Sequence, residues 1–490
     1  MNSTPSTMNS RMARVFTMLA VAFIGIIGML TWWQLIVAGE LKQKDNNNQT
    51  AYYDQRVQRG FIETKDGFRV AGRGATKGSN GDTIWTRRYP RGTFLAHVIG
   101  YDTRGRSRAG VERAMNDALT GSTRDLGAVV GLLDGDEQAI GDDVRLTIDS
   151  DAQKIAEQQL GNQRGAVVAL EPKTGRVLVM ASAPTYTPAD IENNYGAVKD
   201  RRDSPLFNRA TQAGYAPGST FKLVTAAAAL ENGVAPDRRF KGGTSYATPG
   251  QDVKNFAGEI APANHTFTEA LTNSYNTTFA ELGDELGANG LREQMDKFGF
   301  YSTPPLRGMP GRELRASGLS GPDGKPLPEA TPVDAARVAI GQERLTVSPL
   351  QMALVTAGIA NDGIVMKPSL IERVSRPKGG EVQGLDTEEW KRAMSAANAR
   401  VLGRMMGNVV DEGTGQAARI QGIDVAGKTG TADFGGKNLV WFVAFAPAND
   451  PKVAIAVAIE DQPSGVSGGV VAAPIAKQVL EALLPRRVTK

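Results

Sequence analysis

One serine and one lysine are spaced as a nucleophile and its base would be on a single turn of helix. Ser219 and Lys222 lie in YAPGSTFKLVTAAAAL, where a proline and a glycine precede a strong helix-forming run, so the serine falls at a helix N-terminus. A serine hydroxyl becomes nucleophilic when a base removes its proton, and a lysine can be that base when burial or positive charge lowers its pKa. Backbone N–H groups at the helix start would stabilise an oxyanion beside Ser219.

Two further polar motifs follow in chain order. Ser274-Tyr275-Asn276 begins 55 residues after Ser219, and Lys428-Thr429-Gly430-Thr431 begins 152 residues after Asn276. Each motif alone has an ordinary structural explanation: a helix cap, a polar turn before a helix that begins near Thr277, and a strand end with a turn glycine. The three together, in this order, are far more specific than any one of them.

Composition narrows the chemistry that these residues can perform. The 490-residue chain has no cysteine and two histidines, which excludes thiolate catalysis and cysteine-ligated metals and argues against a multi-histidine metal site. We therefore expect hydroxyl, amine or carboxylate chemistry without a cofactor. A formal net charge of +4, with 56 basic and 52 acidic residues, gives no case for nucleic acid as a partner.

The N-terminal region predicts a membrane anchor. Residues 15–37 read VFTMLAVAFIGIIGMLTWWQLIV without a charge, long enough as a helix to cross a hydrocarbon core of about 30 Å. Arg11 and Arg14 precede this stretch, which predicts a cytoplasmic N-terminus, and Trp32 and Trp33 suit the opposite interface. A cleaved signal peptide is the alternative, but its apolar region would span only about 7–15 residues.

The remaining chain predicts a small module and one larger α+β domain. Residues 38–60 are polar and indicate a linker, and residues 60–145 are rich in Arg, Gly and Asp without long helical periodicity. From residue 146 onward, strands at both ends enclose mostly helical patterns. The predicted strands are Ala166–Leu170 and Val177–Ala181, with a hairpin of Leu439–Ala446 and Val453–Ile459; the predicted helices are Phe221–Leu230, Thr268–Leu286, Pro349–Ala360 and Val470–Leu484.

Two other motif matches lack the context that they require. Residues 422–429 fit the phosphate-binding pattern GxxxxGK[ST], but a strand pattern follows where that motif needs a helix. Residues 465–469 fit the nucleophile-elbow pattern GxSxG, but no histidine follows them in the chain. We interpret both as fortuitous.

With its three motifs in this order, the chain resembles the penicillin-binding protein and serine β-lactamase superfamily. RGFIETKDGFRVA, YPRGTFLAHVIGY and AGVERAMNDALTG are similar to the N-terminal module of class B penicillin-binding proteins. GAVVALEPKTGRVLVMAS, NRATQAGYAPGSTFK and TPVDAARVAIGQERLTVSPLQMA are similar to their transpeptidase domain, with the actinobacterial penicillin-binding protein A type as the nearest subgroup. The resemblance implies an α+β fold: cytoplasmic tail (1–14), single transmembrane anchor (15–37), pedestal module (38–145) and a transpeptidase domain with an antiparallel sheet flanked by helices (146–490).

The resemblance also implies a role for each motif residue. Ser219 would attack the penultimate D-Ala carbonyl of a peptidoglycan stem peptide, D-Ala would leave, and an amine of a second stem would resolve the acyl-enzyme. Lys222 would be the base, Ser274 would pass the proton to the leaving amine, and Lys428 would keep the local potential positive. β-Lactams would acylate the same serine.

The other motif residues would bind the substrate. Asn276 would orient the substrate amide, and the Thr429 and Thr431 hydroxyls would bind the terminal carboxylate of the substrate or of a β-lactam. The backbone N–H groups of Ser219 and Thr431 would form the oxyanion hole, and Gly430 would let substrate approach the strand.

Alternatives remain at this point. A D,D-carboxypeptidase shares the acylation chemistry and uses water as acceptor, and a catalytically silent cell-wall scaffold or β-lactam sensor would share the fold. A β-lactamase would need a deacylation base, and no such element is visible between Asn276 and Lys428. The segment between the anchor and residue 145 is too short for a glycosyltransferase domain, so the resemblance implies a separate polymerase partner of the SEDS type in cell-wall synthesis at the membrane.

Overall fold

The computed structural model describes residues 6–33, 57–78, 83–103, 107–121, 140–249, 251–328, 330–377, 379–434 and 436–484. Up to residue 183, the elements are α1 (Ser6–Trp32), β1 (Ile62–Glu63), β2 (Arg69–Lys77), β3 (Thr83–Arg88), α2 (Ala96–Ile99), β4 (Asp102–Thr103), β5 (Ser107–Arg108), α3 (Gly110–Ala114), α4 (Asn116–Thr120), β6 (Asp143–Leu146), α5 (Ser150–Leu160), β7 (Gly165–Leu170) and β8 (Val177–Ala183).

The middle of the chain contains most of the helices. Its elements are α6 (Pro188–Lys199), α7 (Arg209–Gln212), a 3₁₀ turn (Gly218–Phe221), α8 (Lys222–Glu231), β9 (Arg239–Phe240), β10 (Ser245–Tyr246), β11 (Val253–Lys254), a 3₁₀ turn (Phe256–Gly258), β12 (His265–Thr266), α9 (Phe267–Asn273), α10 (Asn276–Lys297), a 3₁₀ turn (Gly311–Glu313), β13 (Gly318–Leu319), α11 (Ala335–Ala339), β14 (Leu345–Thr346) and α12 (Pro349–Ala360).

The last part of the chain returns to strands. Its elements are β15 (Ile364–Met366), β16 (Ile371–Ser375), β17 (Glu381–Gln383), β18 (Glu389–Arg392), α13 (Ala396–Asp411), a 3₁₀ turn (Gln416–Ala418), β19 (Ala426–Phe434), β20 (Lys437–Ala446), β21 (Val453–Gln462) and α14 (Ala472–Leu483).

The N-terminal helix matches the predicted apolar segment as far as the structure describes it. Its Met12–Trp32 portion is long and apolar enough to cross a membrane, by length and composition. Its large apolar side chains are exposed, as shown by Phe16 at 75% and Phe23 at 68%. The helix begins before residue 15, and residues 34–37 of the predicted anchor lie outside the described residues, as does most of the predicted linker.

A six-stranded sheet joins the small N-terminal module to the larger domain. Its strand order is β17-β16-β6-β1-β2-β3, and β6 pairs in parallel with β1 and antiparallel with β16. Val144 in β6 lies opposite both Ile62 and Val374. The sheet therefore continues across the predicted boundary at residue 145, which itself stays a prediction.

A five-stranded antiparallel sheet forms the centre of the larger domain, in the order β19-β20-β21-β7-β8. Helices α5 and α14 cover one face, and α12 and α7 pack on the other. Because both faces are covered, β20 and β21 are apolar along most of their length and do not alternate. The predicted hairpin is confirmed, with longer strands, and β19 lies at an edge of the sheet.

One predicted helix is wrong, and its error coincides with a motif. The pattern over Thr268–Leu286 corresponds to two helices, α9 and α10, separated at Ser274, whose φ of 65° and ψ of 38° are left-handed. Apolar spacing continues across the break, because Phe267 and Phe279 are both buried with ring centroids 5.8 Å apart. Periodicity alone therefore cannot reveal the break.

Candidate active site

The predicted nucleophile lies on a tight turn that rests against the edge strand β19. Ser219 is half-buried in the 3₁₀ turn that precedes α8. Gly218 has a φ of +51°, and a Cβ there would lie 2.4 Å from the Thr431 carbonyl oxygen. The Gly218 N–H donates to the Gly341 carbonyl at 3.1 Å. Only glycine allows this close approach, which brings Ser219 next to the Lys-Thr-Gly motif.

The segment leading to the nucleophile is held by side chains of the central sheet. Trp441, fully buried in β20, donates its indole N–H to the Ala216 carbonyl at 3.0 Å. Glu460 in β21 accepts hydrogen bonds from the Tyr215 hydroxyl and, at 2.8 Å, from the Arg209 guanidinium. These buried contacts fix the backbone on the N-terminal side of Ser219.

Two buried lysines converge on one serine hydroxyl. Lys222 and Lys428 are both fully buried. Lys222 Nζ donates to Ser274 Oγ at 3.2 Å, to the Ser274 carbonyl at 2.7 Å and to Asn276 Oδ1 at 2.6 Å. Lys428 Nζ donates to Ser274 Oγ at 2.8 Å and to the Thr429 carbonyl at 3.0 Å. The structure thus brings four of the five predicted catalytic residues into one hydrogen-bonded cluster beside Ser219.

Ser219 and Lys222 are not directly hydrogen-bonded, although the sequence predicts that Lys222 is the base for Ser219. Within the described residues, no hydrogen bond joins Ser219 Oγ to Lys222 Nζ, whose bonds go to Ser274 and Asn276. Catalytic hydrogen bonds without substrate are commonly long and tighten when substrate binds. The spacing of three residues nevertheless places both groups on the same turn.

Burial lowers the pKa of both lysines, which favours the neutral amine that can accept a proton at neutral pH. Desolvation lowers the pKa of Lys222 well below its usual value of 10.5, the charge of Lys428 lowers it further, and Glu259 opposes the shift. Desolvation lowers the pKa of Lys428 to about 7. The two amines also repel each other when both are charged, so burial and mutual repulsion together disfavour a doubly protonated pair.

The remaining substrate-binding candidates lie on β19. Thr429 is buried, and its Oγ1 lies 2.6 Å from Oγ1 of Thr414, an exposed residue that sequence reasoning missed. Gly430 lacks a side chain where Thr220 Cγ2 and the Pro217 carbonyl approach, at 2.8 Å and 3.0 Å from an ideal Cβ. Because Gly430 has no side chain, the nucleophile turn can pack closely on β19. Thr431 is half-buried and follows directly.

Both fortuitous motif matches, GxxxxGK[ST] and GxSxG, lie in elements that pack around β19. The lysine and threonine of the GxxxxGK[ST] match lie within β19, so no helix follows them. The 465–469 loop packs on the same strand, where a Cβ on Gly468 would lie 2.8 Å from the Gly430 carbonyl oxygen. Among the described residues, no group of three or more His, Cys, Asp or Glu could hold a metal ion.

Comparison with known families finds two matches. The family described as the penicillin binding protein transpeptidase domain matches residues 165–481. The family described as the penicillin binding protein A dimerisation domain matches residues 59–141. Together they account for most of the chain that follows the N-terminal helix.

Individual proteins and solved structures agree with these matches. The peptidoglycan D,D-transpeptidase PbpA of Mycolicibacterium smegmatis is 34% identical over 505 residues, covering 97% of this chain and 99% of the relative. PbpA of Mycobacterium tuberculosis H37Rv is 32% identical over 502 residues, with the same coverage of 97% and 99%. The structure of penicillin-binding protein A from M. tuberculosis as a penicillin G acyl-enzyme superposes with a TM-score of 0.76 at 33% identity, covering 88% of this chain and 100% of that one.

Proposed function

Since the chain belongs to the penicillin-binding protein transpeptidase family, we propose that it cross-links peptidoglycan stem peptides through an acyl-enzyme on Ser219. The observation that carries this proposal is the convergence of the Lys222 and Lys428 nitrogens on Ser274 Oγ, next to the nucleophile turn. That arrangement can move a proton between an attacking hydroxyl and a leaving amine.

In acylation, Lys222 removes the proton of Ser219 as its oxygen attacks the penultimate D-Ala carbonyl. The negative oxygen that forms is held by the backbone N–H groups of Ser219 and Thr431, whose proximity is supported by the contact of Gly218 with the Thr431 carbonyl. The C–N bond to the terminal D-Ala breaks, and its nitrogen takes a proton from Ser274. Lys222 then returns a proton to the Ser274 hydroxyl, and the charge on Lys428 keeps the local potential positive.

Substrate orientation is assigned to the residues around this cluster. Asn276 holds the substrate amide, and the Thr429 and Thr431 hydroxyls hold the terminal carboxylate. The Thr414 hydroxyl supports the assignment of Thr429: if Thr414 donates to Thr429 Oγ1, the single Thr429 proton stays available for a carboxylate.

For the whole chain, the proposal includes its place in the cell. Helix α1 anchors the protein in the cell membrane by one span, with the N-terminus cytoplasmic because Arg11 and Arg14 precede the apolar stretch. The catalytic part then lies outside the cytoplasm, where peptidoglycan and β-lactams reach it. A separate SEDS-type polymerase supplies the glycan strands.

A product assay on the detergent-solubilised full chain tests the proposal. The protein is incubated with a stem peptide ending in D-Ala-D-Ala and with a second peptide that carries a free amine, and products are identified by mass spectrometry. We expect D-Ala release together with a cross-linked dimer. Release of D-Ala with water as the sole acceptor would make the protein a D,D-carboxypeptidase, and no release would favour a silent scaffold.

A further inference from the structure

A short loop beside the Ser274-Tyr275-Asn276 motif is held by hydrogen bonds at its ends and exposed in its middle. We name residues 255–260 the entrance loop. Asn255 is 4% exposed; its Nδ2 donates to the Gly243 and Glu259 carbonyls, each at 3.1 Å, and its Oδ1 accepts from the Thr277 N–H at 3.1 Å. Just beyond the loop, Ala261 forms a β-bridge with Gly243. These hydrogen bonds and the β-bridge therefore fix the conformation of the loop.

The entrance loop begins one residue from a direct contact with the catalytic cluster. Asn276 Nδ2 donates to the Lys254 carbonyl at 2.7 Å, while Asn276 Oδ1 accepts from Lys222. Within the loop, Ala257 has a left-handed φ of 52°. Such strain in a non-glycine residue persists only where the surroundings enforce it, and it is concentrated at functional sites.

The exposed side chains of the loop combine an anion with apolar surface. Phe256 is 46% exposed and Ile260 67% exposed, and Glu259 is exposed between them. Among the described residues, no cation lies within ion-pair distance of the Glu259 carboxylate. Its charge nevertheless reaches the catalytic cluster, since burial first and Glu259 next raise the pKa of Tyr275, and Glu259 opposes the lowering of the Lys222 pKa.

The second step of the proposed reaction, in which an acceptor takes the acyl group from Ser219, involves a molecule whose chemistry matches this surface. In the proposed reaction the acceptor is an amine of a second stem peptide, and a primary amine on an aliphatic chain is an ammonium ion at neutral pH. We infer that the entrance loop recognises this acceptor, with Glu259 attracting its ammonium group and with Phe256 and Ile260 contacting its methylene chain. This inference rests on the proposed function and adds the class of group that the site accepts.

The chemical step itself remains with the catalytic cluster. The ammonium group loses its extra proton to solvent and enters the site as a free amine. Its nitrogen attacks the acyl carbonyl, a C–N bond forms, and the ester bond to Ser219 Oγ breaks. The amine proton passes to the Ser219 oxygen, which restores the hydroxyl. Glu259 acts before this step, by raising the local concentration of the cationic acceptor.

A second exposed glutamate, close in sequence to a residue that contacts the nucleophile turn, offers a matched control. Glu343 is exposed two residues after Gly341, whose carbonyl accepts from the Gly218 N–H. Unlike Glu259, Glu343 has a cationic neighbour, because the Arg337 guanidinium lies 3.9 Å from its carboxylate. The guanidinium offsets the negative potential of the Glu343 carboxylate, which therefore attracts an incoming cation less strongly. We expect Glu259 to be the residue that recognises the acceptor.

The test measures how each acyl-enzyme divides between amine and water. Full-length wild type, Glu259→Gln and Glu343→Gln are given a D-Ala-D-Ala stem donor and either a peptide with a free lysine ε-amine or hydroxylamine, which is uncharged at neutral pH. The ratio of aminolysis to hydrolysis is read by mass spectrometry and does not depend on the active fraction. We expect Glu259→Gln to lower the ratio about two- to fivefold with the lysyl acceptor at low salt.

Three further readouts make the expectation specific. The ratio with hydroxylamine should be equal in all three proteins, Glu343→Gln should behave as wild type with both acceptors, and salt near 1 M should remove the difference. An unchanged ratio in Glu259→Gln, or a fall in Glu343→Gln in its place, would overturn the inference. Failure of the proposed function is distinguishable, because the wild type would then either release no D-Ala or form no cross-linked product with the lysyl acceptor.

Discussion

At the scale of single residues, the site is defined by two buried amines that share a hydroxyl. Two ammonium ions this close and this deep would repel each other and would lose hydration. Burial lowers the pKa of Lys428 to about 7 and that of Lys222 well below 10.5. The neutral amines that this favours avoid the repulsion and the loss of hydration. The same lowering of the pKa favours the neutral form of Lys222, which is the form that the proposed role as a base requires.

The pH dependence of acylation should report this coupling. With Lys222 as the proposed base, acylation should rise with pH as Lys222 loses its proton, and the charge of Lys428 lowers the pKa of Lys222. In Lys428→Met the repulsion is absent, so the rising limb of the residual acylation rate should move to higher pH. Stopped-flow acylation by a chromogenic β-lactam between pH 5 and 10 measures this. Lys428→Arg, which keeps the charge, should rise near the wild-type pH; coincident limbs for Lys428→Met and wild type would contradict the coupling.

Residue types and their order in the chain predicted a candidate site but not the contacts within it. All eight predicted site residues lie on the nucleophile turn, on α8 at Lys222, at the α9–α10 junction or on β19. The sequence could not show that Lys222 hydrogen-bonds to Ser274 and Asn276, because these contacts span more than fifty residues. Thr414 was missed because a lone threonine carries no signal until the fold places it against Thr429.

At the scale of elements, the nucleophile turn and the edge strand depend on each other. Gly218 and Gly430 both lie where a side chain would separate the two. Sequence patterns located the strands and helices because apolar runs mark buried elements, and Pro349–Ala360 was predicted with its observed bounds. The break at Ser274 was invisible because one left-handed residue interrupts a helix without altering its apolar spacing.

Substitution of Gly218 should therefore disrupt catalysis more than stability. Gly218→Ala places a Cβ 2.4 Å from the Thr431 carbonyl oxygen, and the required shift of the turn should slow acylation about 10–100-fold. Gly465→Ala is the matched control, because Gly465 also has a positive φ, of +86°, but no atom within 4 Å of its Cβ position. Gly465→Ala should cost about 1 kcal/mol of unfolding free energy and acylate normally. Equal acylation rates in both variants would contradict the packing argument.

At the scale of the whole molecule, the predicted family is confirmed, and the small module is structurally continuous with the larger domain. The six-stranded sheet contains strands from both parts, and Glu157 of α5 accepts a hydrogen bond from the Leu95 N–H at 3.0 Å. Gly110 likewise donates its N–H to Glu313 across the two parts. Sequence reasoning could not foresee this continuity, because strand pairing between distant segments has no local signal.

The Glu157 contact predicts a measurable pH effect on stability. Burial raises the pKa of Glu157 from 4.5 to about 7. The folded state then holds a proton that the unfolded state has lost, so wild-type stability should fall as pH rises from about 4.5 to about 7. Glu157→Gln stays neutral and keeps an acceptor for Leu95, so it should be more stable than wild type above pH 7, by on the order of 2 kcal/mol.

Melting temperatures by circular dichroism at pH 5 and pH 8 check this expectation. The advantage of Glu157→Gln over wild type should be small at pH 5 and larger at pH 8. A constant difference between the two proteins at both pH values would show that Glu157 does not titrate in this range.

The most direct test of the central claim is the intact mass of the full-length protein after incubation with benzylpenicillin, beside Ser219→Ala. We expect a single stable adduct, equal in mass to one benzylpenicillin, on the wild type and none on the variant, because Ser219 is the proposed nucleophile beside the two lysines. An adduct on Ser219→Ala, or no adduct on either protein, would contradict it.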